Sequence, residues 1–82
     1  MWAKVAGFVP GSLQRTVGLN LRNYRRSLGI SQEAFAEVFG HHRTYMGQLE
    51  RGELNLTLQN LEKLAHQLDL DPLDLLKEPS RD

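Results

Sequence analysis

Apolar residues recur along this chain at the three- and four-residue spacing of a helix, and nowhere alternate long enough to predict a strand. The first helical stretch carries Leu13, Val17, Leu21, Tyr24 and Leu28, with Ser12 as candidate N-cap and Gly29 as its stop. A second opens on Ser31 as N-cap, runs from Gln32 to Phe39 and ends at Gly40; Glu33 lies in its first turn, where the helix dipole favours a carboxylate. A third begins a few residues later at Arg43, packs through Tyr45, Met46 and Leu49, and stops at Gly52. Glu53 to Thr57 reads as a linker, with Thr57 capping a fourth helix whose stripe is Leu58, Leu61, Leu64, Ala65 and Leu68. Pro72, after Asp71, suits the first turn of a fifth helix, lined by Leu73, Leu75 and Leu76 and closed by Pro79. Met1 to Gly11, where Trp2, Val5 and Phe8 stand three residues apart, reads as an arm. The pattern predicts an all-α domain of five helices over residues 12–78, between an arm at 1–11 and a tail at 79–82. Its expected core is Leu21, Leu28, Ile30, Phe35, Ala36, Phe39, Met46, Leu49, Leu61, Leu64, Ala65, Leu68 and Leu70.

Composition narrows what such a domain can do. A chain of 82 residues buries only ~60% of its unfolded surface, so the core is thin. There is no cysteine, which excludes a disulfide scaffold, a thiolate nucleophile and a cysteine-bearing zinc site. That fits a reducing compartment, and a cytoplasmic location is expected. No apolar run approaches the ~20 residues of a spanning helix, so no membrane partner is expected. The start is a poor signal peptide, which leaves the sequon Asn55-Leu56-Thr57 a coincidence. His41 and His42 are adjacent and His66 is remote, too few ligands for a metal. No nucleophile–base pair or glycine-rich phosphate loop is present, and Ser31 is better explained as a cap than as a dyad with His42. Neither catalysis nor a cofactor is expected.

Charge points to a polyanion. Lysine plus arginine equals aspartate plus glutamate, so the net charge is zero. Yet residues 1–51 hold seven basic residues against three acidic, a balance of +4, and residues 52–82 hold three against seven, a balance of −4. One half is suited to face phosphates and the other to face elsewhere.

Two short helices joined by a tight glycine-containing turn form a helix-turn-helix. The run Ile30-Ser31-Gln32-Glu33-Ala34-Phe35-Ala36, followed by Gly40-His41-His42-Arg43-Thr44-Tyr45-Met46-Gly47-Gln48-Leu49-Glu50-Arg51-Gly52, resembles the Cro and phage-repressor (XRE-like) helix-turn-helix family. The resemblance covers residues 17–76 and implies a lambda-repressor-like fold that binds double-stranded DNA. Arg43-Thr44-Tyr45, Asn55-Leu56-Thr57-Leu58 and Leu61-Glu62 are similar to the controller proteins of restriction–modification systems, small dimeric regulators that time expression of the nuclease. The implied function is a transcriptional regulator acting as a homodimer on an inverted-repeat operator. A repressor of another operon (prophage or stress) and an antitoxin-like interaction module are the alternatives. His41 departs from the family pattern, standing where a small aliphatic residue usually packs the turn, and Gly47 lies inside the recognition helix.

On this reading Arg43 to Glu50 is the recognition helix, its N-terminal end in the major groove. Arg43 suits guanine O6 and N7, Thr44 a thymine methyl, and Gln48 adenine N6 and N7. Gln32, His42, Arg51, Asn55 and Thr57 are expected on phosphates, and Gln32 also as a brace for Arg43. Arg22 and Arg26 make a solvated basic face. Gly47 has two readings: close approach to the bases, or mere tolerance. The resemblance implies that Glu50 pairs with Arg25 rather than facing DNA. Leu54, Leu56, Leu73, Leu75 and Leu76 exceed what a thin core can hide, and a two-fold dimer through the fourth and fifth helices would cover them. The alternative is that Leu73 and Leu76 pack internally and Leu54 and Leu56 stand exposed singly. The acidic second half, turned away from phosphate, suits a contact with RNA polymerase.

Overall fold

The computed structural model describes Gly7 and residues 9–79. Trp2, Val5 and Phe8, most of the 1–11 arm, and the tail beyond Pro79 lie outside the described residues. The chain forms α1 (Ser12–Ser27), α2 (Gln32–Phe39), α3 (Arg43–Glu50), α4 (Leu58–Gln67) and α5 (Pro72–Leu75), with no strand among the described residues.

Side-chain caps start most of these helices. Ser31 Oγ accepts from Ala34 N–H at 3.1 Å, Thr57 Oγ1 from Asn60 N–H at 3.0 Å and Asp71 Oδ1 from Leu73 N–H at 2.9 Å. Each satisfies an amide that the helix leaves without a partner. The first helix differs from the sequence expectation. Its N-cap is Gly11, and Ser12 is already helical and caps nothing.

The core comprises Val17, Leu21, Phe35, Ala36, Phe39, Met46, Leu49, Leu61, Leu64, Ala65 and Leu75, each 5% exposed or less. The Phe35 and Phe39 rings meet edge to face at 4.9 Å. Four expected core positions differ. Leu28 is the C-cap of α1 and is exposed where the chain leaves the helix; Ile30, Leu68 and Leu70 lie at the core margin. Leu75, read as surplus for a dimer, is buried at 3% exposure, because α5 packs on both α1 and α4.

Asn20 secures that packing, and the periodicity of α1 did not single it out. Its Nδ2 donates to the Leu75 carbonyl at 2.8 Å and the Lys77 carbonyl at 2.7 Å, satisfying acceptors at the end of a four-residue helix too short to hold itself.

The recognition unit is positioned by two close approaches. At Gly18, a Cβ would stand 2.5 Å from the carbonyl oxygens of both Leu49 and Glu50, so α1 lies almost backbone-to-backbone on the end of α3. Gly52 adopts φ 73°, and a Cβ there would meet Arg15 Cα at 2.7 Å. It ends α3 in a Schellman-type turn, with Glu53 N–H donating to Gln48 O at 2.9 Å and Gly52 N–H to Leu49 O at 3.1 Å.

Candidate nucleic-acid interface

The α2–α3 unit presents one face of α3 to solvent. Met46 and Leu49 bury its inner side, while His42, Arg43 and Thr44 are exposed at its N-terminal end and Gln48 is half-buried a turn on. The three residues expected on bases therefore share the outer side of one helix. His41, which departs from the family pattern, stacks on Tyr45 with ring centroids 4.2 Å apart, so an aromatic contact covers the turn in place of an aliphatic one. His42 caps α3: its Nδ1 accepts from Thr44 N–H at 3.1 Å. A neutral ring accepting at Nδ1 carries its proton on Nε2, which leaves that donor free for a phosphate.

An ion pair stands behind the unit. Arg25 Nε donates to Glu50 Oε2 at 2.7 Å and Nη2 to Glu50 Oε1 at 3.0 Å, with the Glu50 side chain 2% exposed and that of Arg25 13%. The carboxylate hydrogen bonds raise the Arg25 pKa further above its ordinary value. Arg25 Nη1 also donates to the Ile30 carbonyl at 3.0 Å, which ties down the α1–α2 connection.

Gln32 joins this network instead of bracing Arg43. Its Nε2 donates to Glu50 Oε1 at 3.1 Å. The exposed Arg43 instead forms a salt bridge with Glu33, Nε to Oε1 at 2.9 Å. The reason lies in the register of α2: its first residue turns inward toward Glu50 and its second outward toward α3.

Arg22, Arg25, Gln32, Glu50 and Arg51 line a polar cleft beside α3. Arg51 forms a fork-to-fork pair with Glu53, at 2.9 and 3.1 Å. The hydrogen bonds hold the Glu53 carboxyl below its ordinary pKa and raise that of Arg51. Gly47 is buried under this arginine, since a Cβ would lie 3.1 Å from Arg51 Nη1 and 3.8 Å from Gln32 Oε1. The missing side chain makes room for Arg51. That neighbour is a flexible tip, so Gly47→Ala is expected to recover helix propensity of about 1 kcal/mol. Thermal denaturation is expected to show a midpoint raised by a few degrees.

The loop residues are engaged locally. Asn55 Oδ1 accepts from Gln14 Nε2 at 2.9 Å, which leaves the Asn55 amide hydrogens as donors, and Thr57 serves as the α4 cap while keeping its hydroxyl proton. Away from α3 lies an apolar groove lined by Leu13, Val17, Leu56, Leu58, Leu61 and Leu76. Leu58 and Leu13 are 76% and 60% exposed beside it, and Leu73, one turn before Leu76, is 63% exposed. Leu54, Leu56 and Leu76 are half-buried against the core. No helix among the described residues is long and apolar enough to cross a membrane, and no cluster of potential metal ligands occurs among them.

A helix-turn-helix family model matches residues 21–75. The chain is 47% identical over 57 residues to control protein C.SmaI of Serratia marcescens, covering 70% of this chain and 68% of that protein. It is 42% identical over 60 residues to control protein C.BamHI of Bacillus amyloliquefaciens, covering 72% and 74%. Among solved structures, it superposes on the restriction-modification controller protein C.AhdI from Aeromonas hydrophila with a TM-score of 0.67 and 40% identity, over 79% of this chain and 94% of that one. The hypothetical transcription factor NHTF from Neisseria superposes with a TM-score of 0.73 and 33% identity, over 94% and 90%.

Proposed function

The chain belongs to the helix-turn-helix family of transcriptional regulators, and from that premise we propose that it is the controller of a restriction–modification operon, binding an inverted-repeat operator as a homodimer. It acts as a regulator and not as an enzyme. The observation that carries this reading is the outer side of α3. Arg43, Thr44 and Gln48 lie together there beside the basic cleft of Arg22 and Arg51, on a fold matched by controller proteins. Arg43, Thr44 and Gln48 read base edges in the major groove. Gln32, His42, Arg51, Asn55 and Thr57 hold phosphates through the donors described above, Gln32 through the amide hydrogen not given to Glu50. Arg51 exchanges Glu53 for a phosphate on binding.

The dimer face is the apolar surface of Leu13, Leu56, Leu58, Leu73 and Leu76, with Leu54 at its margin and Leu75 contributing only from within its own core. A two-fold axis through this face sets two recognition helices ~34 Å apart, one DNA turn. Exposed Glu62, Asp69, Asp71, Asp74 and Glu78 keep negative charge off the DNA side and offer RNA polymerase a surface.

Selection of bound duplexes from a random pool at fixed salt tests the reading. An enriched inverted repeat is expected, lying upstream of a nuclease–methyltransferase operon. A repeat upstream of other genes would make the protein a repressor of a different operon, and no enrichment by the folded protein would end the DNA-binding reading. Leu73→Asp tests the dimer, because a residue this exposed is removable without unfolding the subunit. Sedimentation is expected to show monomers and operator affinity to fall by roughly 10²-fold, the loss of linkage between half-sites. A variant that stays dimeric would place the interface elsewhere.

A further inference from the structure

The pair between Arg43 and Glu33 has no explanation in folding. Its two side chains are 59% and 71% exposed, and ion pairs this wet contribute little to stability. A carboxylate at this edge of the unit also repels a DNA backbone, so something must offset its presence. We propose that Glu33 is a positioning residue that sets base specificity: by holding Arg43 Nε, it presents the terminal Nη1/Nη2 fork of the guanidinium to guanine. The proposal rests on the DNA-binding reading above.

The chemistry follows from the shape of the guanidinium, which has two faces able to make paired bonds, one through Nε and one Nη, the other through both Nη atoms. Glu33 Oε1 lies 2.9 Å from Nε, which draws the first face toward the carboxylate charge and leaves the second, whose donors match guanine O6 and N7. Adenine at that position offers one acceptor and one donor, so the fork meets an N–H with an N–H. An arginine free to rotate escapes that mismatch by turning to a phosphate or a neighbouring base. An arginine drawn toward Glu33 does so less readily, and so discriminates against adenine.

The helix that carries Glu33 is well held. Glu33 occupies the second position of α2, where the helix dipole favours a carboxylate. Ser31 caps that helix, Phe35 and Ala36 bury it, and Gln32 is tied to Glu50 at 3.1 Å. Holding a long side chain before DNA arrives removes part of the ordering cost of binding.

The test is a double-mutant cycle of Glu33→Ala and Arg43→Ala. Binding is measured on the selected operator and on a duplex with A·T in place of the G·C pair whose preference Arg43→Ala erases. Glu33→Ala is expected to weaken operator binding about 3- to 10-fold, the ordering cost of one long side chain. Binding of the A·T duplex stays level or rises, so the G-over-A ratio collapses. Glu33→Gln, which keeps the shape of the side chain and loses its charge, is expected to lose the ratio as Glu33→Ala does. In the Arg43→Ala background, Glu33→Ala changes both duplexes by one common factor. If Glu33→Ala and Glu33→Gln instead tighten both duplexes equally and leave the ratio intact, Glu33 is only a repulsive charge and the inference fails alone. If Arg43→Ala erases no base preference at all, base reading by Arg43 fails and the inference falls with it.

Discussion

Glu50→Ala is expected to lower the thermal midpoint by 10 °C or more. Removing one partner of a buried ion pair costs about 3–5 kcal/mol, because the other charge stays behind without compensation. Arg25 keeps some contact with solvent, 13% of its side chain, which places the cost near the lower end. A domain of this size has roughly 4–12 kcal/mol of stability to lose, and each kcal/mol moves the midpoint about 4–8 °C. The damage spreads because Glu50 holds α1 through Arg25 and α2 through Gln32, and Arg25 holds the Ile30 carbonyl. Operator binding is expected to fail at temperatures where the subunit is still largely helical. Calorimetry and circular dichroism measure the first effect, and a mobility shift over a temperature series the second. Replacing both partners with apolar residues, Arg25→Met with Glu50→Leu, is expected to restore most of the stability, since no charge is then stranded. A double variant as unstable as Glu50→Ala would show that the cost comes from lost packing geometry and not from charge.

Gly18→Ala is expected to destabilise the domain by about 2 kcal/mol or more, although alanine is the better helix former by about 1 kcal/mol. The added methyl would stand 2.5 Å from two backbone carbonyl oxygens of α3, and backbone cannot rotate aside as a side chain does. The helices must separate, and separation draws Glu50 away from Arg25. Gly47→Ala, one helix away, has the opposite sign because its neighbour is the flexible tip of Arg51. Chemical denaturation of the two alanine variants side by side measures the contrast. Equal destabilisation would mean that the packing at Gly18 relaxes more freely than its backbone neighbours imply.

That contrast marks what a sequence can and cannot convey. Both glycines lie inside helices, both look anomalous by propensity, and nothing in the neighbouring residues tells them apart. What differs is the atom opposite, which belongs to another helix in one case and to a side chain one turn on in the other. That the residues proposed to read bases share one side was legible, because Arg43, Thr44 and Gln48 are three near neighbours on one helix, where spacing alone places them together. The brace was misassigned by one residue. Gln32 and Glu33 are adjacent polar residues at a helix start, and which of them turns inward depends on how α2 rolls against the buried Glu50. Asn20 escaped notice because its partners are backbone carbonyls 55 and 57 residues away. Leu28 and Leu75 exchanged places for a similar reason, since an apolar residue at a helix end is buried only if another element covers it.

By itself, then, the sequence determined the helices, their caps at Ser31 and Thr57, and the helix-turn-helix frame. These follow from local spacing and short-range hydrogen bonding, which act within a few residues. Only the tertiary structure decided the backbone contact at Gly18, the inward turn of Gln32, the hold of Glu33 on Arg43 and the anchoring of α5 by Asn20. Each of these is a meeting of groups distant along the chain, and their partners are chosen by how the helices roll and cross when the core closes.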